Sequence, residues 1–206
     1  QSMPIIVSIC AYSFASAIVF IYVGQEGEYA TAGYGAAARF EQILFLPVLG
    51  INTAIISIIA QNYGAMNFDR IRETFYTAIK YALFIMFFAA LLVFLLADVV
   101  TGLFSNNPDV VDYGKRYLRI SAIVLPAYPL FFISNGFFMS LKKSENAMIS
   151  NVFRNLLIPI SVFYLAKYYN ADFNTFFWLW VIFNWIFSLI YLSIVLYYLK
   201  NRLEIT

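Results

Sequence analysis

The length of its apolar runs constrains this chain more than any other feature. A helix needs about 20 apolar residues to cross the hydrocarbon core of a bilayer. Six runs reach or approach that length, over 4–23, 32–61, 76–97, 117–140, 147–167 and 175–199. Lipid offers backbone N–H and C=O groups no partner, so each run must satisfy its own hydrogen bonds as a helix. The fold class that follows is an all-α integral membrane protein with six transmembrane helices. The breaks are short and polar: "GQEGEYATAG", "NYGAMNFDRIRE", "SNNPD", "LKKSEN" and "KYYNADFN". None has room for a soluble domain, so 1–206 reads as one six-helix transmembrane unit.

The remaining composition removes several function classes. Only 12% of residues are charged and the net charge is +2, which leaves no polycationic surface for nucleic acid. Cys10 is the one cysteine and histidine is absent, so an intrachain disulfide is excluded and the usual zinc ligand and general base are missing. With no nucleophile elbow, P-loop or paired-aspartate constellation either, the expectation is a protein that is not an enzyme and has no catalytic residue, metal or cofactor. Cys10, beside Ala11 and Ser13 in an apolar run, reads as a small packing residue. The opening "QSMPII" has neither a basic n-region nor a small-residue cleavage site and reads as an internal start.

Orientation follows from lysine and arginine. Arg70, Arg72 and Lys80 follow the second run, Lys142 and Lys143 the fourth, and Lys200 and Arg202 the sixth, whereas the first loop carries Glu26 and Glu28. Both termini are expected on the cytoplasmic side of an inner (plasma) membrane. Lys115, Arg116 and Arg119 lie at the opposite end, where Asp109 and Asp112 are expected to offset them. Tyr168, Tyr169, Trp178 and Trp180 at one end and Tyr197 and Tyr198 at the other fit interfacial aromatic belts.

Polar side chains at membrane depth turn toward a bundle interior or a water-filled cavity. On the second run Arg39, Gln42, Leu46, Gly50, Thr53, Ser57 and Gln61 recur at helical period, a stripe that is small or polar except at Leu46. On the fifth, Asn151, Arg154 and Asn155 share a face of a regular helix, and on the sixth Asn184 and Ser188 are one turn apart. Thr53, Ser57 and Ser188 also fit simple close packing of helices. Glu41 is the only acid well inside a run, and Arg39 is its nearest candidate partner for an intramembrane charge pair. Pro47, Pro126, Pro129 and Pro159 fall mid-run. A proline removes an i to i−4 hydrogen bond and bends the helix at the depth where transporters bind cargo, so these four are the candidate bending points.

The segment "YGAAARFEQILFLPVLGINTAIISIIAQNYGAMNFDRIRE", residues 34–73, resembles the eighth helix and following cytoplasmic loop of multidrug and toxic compound extrusion (MATE) transporters. That family shows an Arg, an apolar "FLP", a small-residue run, "GQNYGA" and a charged "DR"; here "AQNYGA" keeps all but the first glycine. "LFSNNPDVVDYGKRYLRI", 103–120, is similar to the family's loop and tenth-helix start. The corner at 61–65 then has a physical reason as a structural joint on the cytoplasmic side. Gln61 and Asn62 satisfy carbonyls where the helix ends, and Gly64 and Ala65 allow a close-packed exit.

The resemblance implies one lobe, helices seven to twelve, of a twelve-helix transporter whose two lobes move cargo by alternating access. The partner it implies is the N-terminal lobe of the same transporter, within a lipid bilayer, with a small organic substrate between them. A substrate cavity would then be lined by Tyr12, Gln42, Tyr128, Asn135, Arg154 and Asn184, and aromatic faces there would suit lipophilic cations. The sodium-coupled branch carries acids in helices seven and ten, where this chain reads "SICAYSF" and "LPAYPLFFISNG", and the family's Arg-Gly pair after helix ten is replaced near "FMSLKK". The coupling ion, H+ or Na+, is therefore expected on the missing first lobe. Two other readings stay open: a superfamily flippase of lipid-linked sugars, favoured by central arginines, and a non-transporting membrane scaffold subunit.

Overall fold

The structure is a computed structural model that describes residues 2–201, with side chains from residue 10 onward. Among the described residues there is no strand. The first run forms α1 (Ser2–Gln25). The second forms two helices, α2 (Glu28–Leu44) and α3 (Leu46–Gly64), and the third one long helix, α4 (Phe68–Gly102). The fourth forms α5 (Pro108–Val124) and α6 (Ala127–Ser140). The fifth forms α7 (Ser144–Val152), a π-helical turn (Phe153–Leu157) and α8 (Ile158–Tyr168), and the sixth forms α9 (Phe173–Asn201).

Three of the six runs are interrupted near the middle, each beside a proline. Pro47 stands in the first turn of α3, directly after the break at Phe45. Pro126 precedes α6, which turns 51° away from α5, and Pro129 occupies the first turn of α6, where its missing N–H would have had no intrahelical partner. The end of α5 leaves carbonyls without helical donors, and the Trp185 indole donates to one of them, Ile123, at 2.9 Å. Pro159 opens α8 just past the π turn. The third run extends well beyond 76–97 at both ends, so that the charged residues from Asp69 onward belong to α4.

Packing follows residue size. α2 buries Ala30, Gly33, Tyr34, Ala37 and Glu41, spaced one helical face apart, against α5. At Gly33 the two backbones touch: a β-carbon there would lie 2.5 Å from the Val110 carbonyl oxygen. α3 lies against α4 and α6, α6 against α9, and α1 against α7, the π turn and α8. α4 turns Ala82, Met86, Val93 and Ala97 inward and Phe84, Phe87, Leu91 and Leu95 outward, the pattern of a helix with lipid on one side.

The helix ends use specific caps. α3 ends in a complete Schellman turn: Met66, at φ 54°, donates from its N–H to the Tyr63 carbonyl, and Asn67 to the Asn62 carbonyl. The expectation of a close-packed exit at Gly64 is corrected by this geometry. Gly64 keeps a negative φ with nothing within 4 Å of its β-position, and Met66 is the residue in the left-handed region. Gln61 donates to Ser57 and Asn62 to the Ile58 carbonyl at 2.8 Å, while Ala65 is exposed. The basic residues near the start of α5 are offset by Asp98 and Asp112: Lys115 reaches Asp98 at 3.2 Å, Arg119 reaches Asp98 at 2.7 Å and Arg116 pairs with Asp112. Asp109, expected to share that task, makes no ion pair among the described residues; it stands in the first turn of α5, where its backbone N–H donates to Oδ1 of the N-cap residue Asn107 at 2.9 Å.

Candidate functional site

The polar groups at membrane depth sort into an enclosed cluster and an open stripe. Glu41, 4% exposed, anchors the first: the Tyr117 hydroxyl donates to its carboxylate, and the Tyr128 hydroxyl lies beside it. Tyr34 packs edge-on against Tyr117, with ring centroids 4.9 Å apart, and Phe177 completes the aromatic wall. Arg39 stands two residues away, on another face of α2, and is exposed. The charge pair Arg39 with Glu41 is therefore corrected: positions i and i+2 of a helix do not face one another, and Glu41 finds a phenol from α5 instead.

Arg154 belongs to the same cluster from the other side. The π turn that holds it widens the helix by one residue before Pro159, whose ring would otherwise crowd the carbonyl four residues back. Asn151, one turn before Arg154, bonds back to the Ala147 carbonyl at 3.0 Å. The guanidinium lies over Phe131 at 4.5 Å, Tyr128 at 5.0 Å and Phe132 at 5.6 Å, and its Nε donates to Asn184 Oδ1 at 3.2 Å. Asn184 is oriented for this by its own amide nitrogen, which donates to the Trp180 carbonyl at 2.9 Å. Glu41 and Tyr12 are both close enough to act on the guanidinium electrostatically.

Of the six residues expected to line a cavity, the structure brings together Tyr128, Arg154 and Asn184, with Tyr12 of α1 exposed beside them. Asn135 does not join them: it is buried and donates to the Ala147 carbonyl at 3.0 Å. Gln42 is exposed on the face of α2 that leads away from Glu41. It belongs to the second feature, the stripe, in which Arg39, Gln42, Leu46, Gly50, Thr53, Ser57 and Gln61 are all exposed. The faces behind it, with Val48, Ile55 and Ile59, are buried.

Tyr117, the partner of Glu41, was not singled out by charge-based reasoning, and neither were Phe131 and Phe132. Tyr113 and Tyr117, four residues apart in "DYGKRYLRI", were the available signal.

Residues 4–165 match the MatE family model. The chain belongs to the MatE family. Among its MatE relatives are the probable multidrug resistance protein YpnP of Bacillus subtilis, 26% identical over 66% of this chain and 29% of that protein. The FAD transporter of Shewanella oneidensis is 24% identical over 75% of this chain and 34% of its own length. The multidrug export protein MepA of Staphylococcus haemolyticus is 22% identical over 98% of this chain and 44% of its own. In three dimensions the chain superposes on a crystal structure of MATE in complex with MaL6 with a TM-score of 0.92 at 21% identity, covering 99% of this chain and 46% of that one. A MOP superfamily transporter from Pyrococcus furiosus, whose binding pocket of reversed polarity is taken to point to a different function, gives 0.91 at 22% identity, with 99% and 46% covered. The fold is shared along nearly the whole chain, and the chain spans less than half the length of each of these relatives.

Proposed function

We propose that this chain is the second lobe of a secondary efflux transporter that exports lipophilic organic molecules in exchange for an inward-moving cation. The observation that carries the reading is the exposed stripe from Arg39 to Gln61. The outer faces of α4 and α9 present Phe84, Phe87, Leu91, Ile186 and Ile190, as lipid requires. A row of small and polar residues on α2 and α3 would be out of place there. Facing a first lobe across a hydrated path, it gives cargo a mostly polar way past, with Leu46 as the one large apolar residue of the stripe. The breaks at Phe45, Pro126 and the π turn interrupt three of the runs near their middle, where alternating access calls for bending points.

The coupling ion, H+ or Na+, belongs on carboxylates of the first lobe, since Glu41, the deep acid in this one, is held under Tyr117. An excess of lysine and arginine marks cytoplasmic segments, so Arg70, Arg72, Lys142, Lys143 and Lys200 support a reading in which the end of the bundle that carries them lies on the cytoplasmic side of an inner membrane. Relatives named for drug export and for FAD transport support export of sizeable aromatic organic molecules.

The test is gradient-driven efflux from proteoliposomes holding the two-lobed transporter, with a fluorescent lipophilic dye and an imposed proton or sodium gradient. Efflux that collapses with one of the two gradients is the expected result. Dye that stays inside under both gradients overturns the antiport reading and moves attention to lipid-linked cargo.

A further inference from the structure

The aromatic wall of the site already holds a cation of its own. Arg154 lies over the rings of Tyr128, Phe131 and Phe132, so the faces that would attract a cationic drug are taken up by the guanidinium. What the wall and the arginine offer together to a cargo is an apolar surface with a positive head.

That head is incompletely satisfied by the protein. A guanidinium carries five N–H donors. Among the described residues only Nε has an acceptor, Asn184 Oδ1, and no carboxylate comes within ion-pair distance of the group. Glu41 is the nearby acid, but its carboxylate is turned to Tyr117. The four donors on the two terminal nitrogens form the planar fork that matches a carboxylate or phosphate in two parallel hydrogen bonds. Arg154 is partly exposed, so the fork can be reached, and Tyr12 stands near it. An arginine at this depth is expensive to keep. A purely structural arginine would be expected to close its donors on carbonyls or acids of the bundle.

We propose that Arg154 is an anion-binding group, and that it takes the carboxylate or phosphate of an amphiphilic cargo whose apolar part lies along Tyr128 and Phe132. Asn184 is a positioning residue: its oxygen holds Nε and leaves the donors on the two terminal nitrogens without an acceptor among the described residues. This rests on the reading of the chain as one lobe of a transporter, and it narrows that reading to cargoes with an anionic or zwitterionic head.

The test uses the two-lobed transporter in detergent, without any gradient, and a matched pair of probes: pyrenebutyrate, a lipophilic carboxylate, and the neutral pyrenebutanol. Both share the aromatic body, so the difference in their Kd values reads the head alone. The wild-type protein is expected to bind the carboxylate at least tenfold more tightly than the alcohol. Arg154→Gln is expected to erase that preference while leaving the alcohol within twofold, which also shows that the variant is folded. Arg154→Lys keeps the charge without the fork and should retain part of the preference. Glu41→Gln removes the nearby acid and should strengthen carboxylate binding. Equal binding of the two probes by the wild-type protein overturns the proposal, as does an unchanged preference in Arg154→Gln or a loss of carboxylate binding in Glu41→Gln. A long-chain alkyl phosphate and inorganic phosphate as competitors separate an amphiphile site from a site for the free anion. A carboxylate preference without gradient-driven efflux would leave this inference standing and remove the antiport reading.

Discussion

Gly33 and Gly114 meet backbone to backbone where α2 crosses α5. A β-carbon on Gly33 would lie 2.5 Å from the Val110 carbonyl oxygen and 2.8 Å from the Gly114 amide nitrogen, and neither atom can move aside without moving its helix. Because lipid tails are as apolar as the helices, such close contact of small residues supplies much of the attraction between membrane helices. Gly33→Ala is expected to destabilise the lobe by about 1–3 kcal/mol, the usual range for forced overpacking. Thermal unfolding in detergent checks it. Gly35→Ala, with nothing within 4 Å of its β-position, should stay near the wild-type value.

The contact between Tyr117 and Glu41 predicts a second asymmetry. Tyr117→Phe removes the hydroxyl that donates to a buried carboxylate, leaving Tyr128 as the phenol beside it, and is expected to cost about 1–3 kcal/mol. Glu41→Gln keeps an acceptor for the phenol and should cost less. Comparing the two single variants in the same unfolding assay tests the order.

Met66 holds the left-handed position of the turn after α3 while 77% exposed. A side chain there is strained and almost nothing packs against it. Met66→Gly is therefore expected to stabilise the lobe by roughly 0.5–1 kcal/mol, with no change in transport. A lower melting temperature in the variant would show that the side chain matters more than the backbone.

Asp172 caps the first turn of α9, accepting from the Thr175 hydroxyl and from the Thr175 amide at 3.2 Å. The hydroxyl hydrogen bond holds its carboxyl below the usual carboxylate range. Because the folded-state acid is the stronger one, the stabilisation is whole above the ordinary carboxylate pKa and fades as pH falls through the lower folded value. Asp172→Ala should lose about 1 kcal/mol at neutral pH, and the gap to the wild type should narrow in strong acid. Melting temperatures of both proteins at neutral and acid pH test this.

The all-helical, membrane-spanning class was legible in the sequence because the signal is a count of apolar residues, and a run of about 20 of them satisfies its backbone in lipid as a helix. Where the breaks fall was legible from Pro47, Pro126 and Pro159. Their local form was not. A π turn before Pro159 and a 51° bend at Pro126 depend on how neighbouring helices refill the lost hydrogen bonds. The stripe from Arg39 to Gln61 was legible from periodicity alone. The partner of Glu41 was not, because the nearest charge in sequence, Arg39, lies on another face of α2, whereas Tyr117 arrives from a helix 76 residues away. Arg154 was visible as a charge in an apolar run, but its aromatic bed and Asn184 come from α6 and α9.

The central claim is that the stripe on α2 and α3 faces a hydrated path between two lobes. The most direct measurement is a cysteine accessibility scan from position 39 to 61 in the two-lobed transporter in membranes, after replacing Cys10, with a membrane-impermeant maleimide. The account predicts labelling that peaks at 42, 50, 53 and 57 and falls away at Val48, Ile55 and Ile59. Labelling absent along the whole stripe, or without helical period, would contradict it.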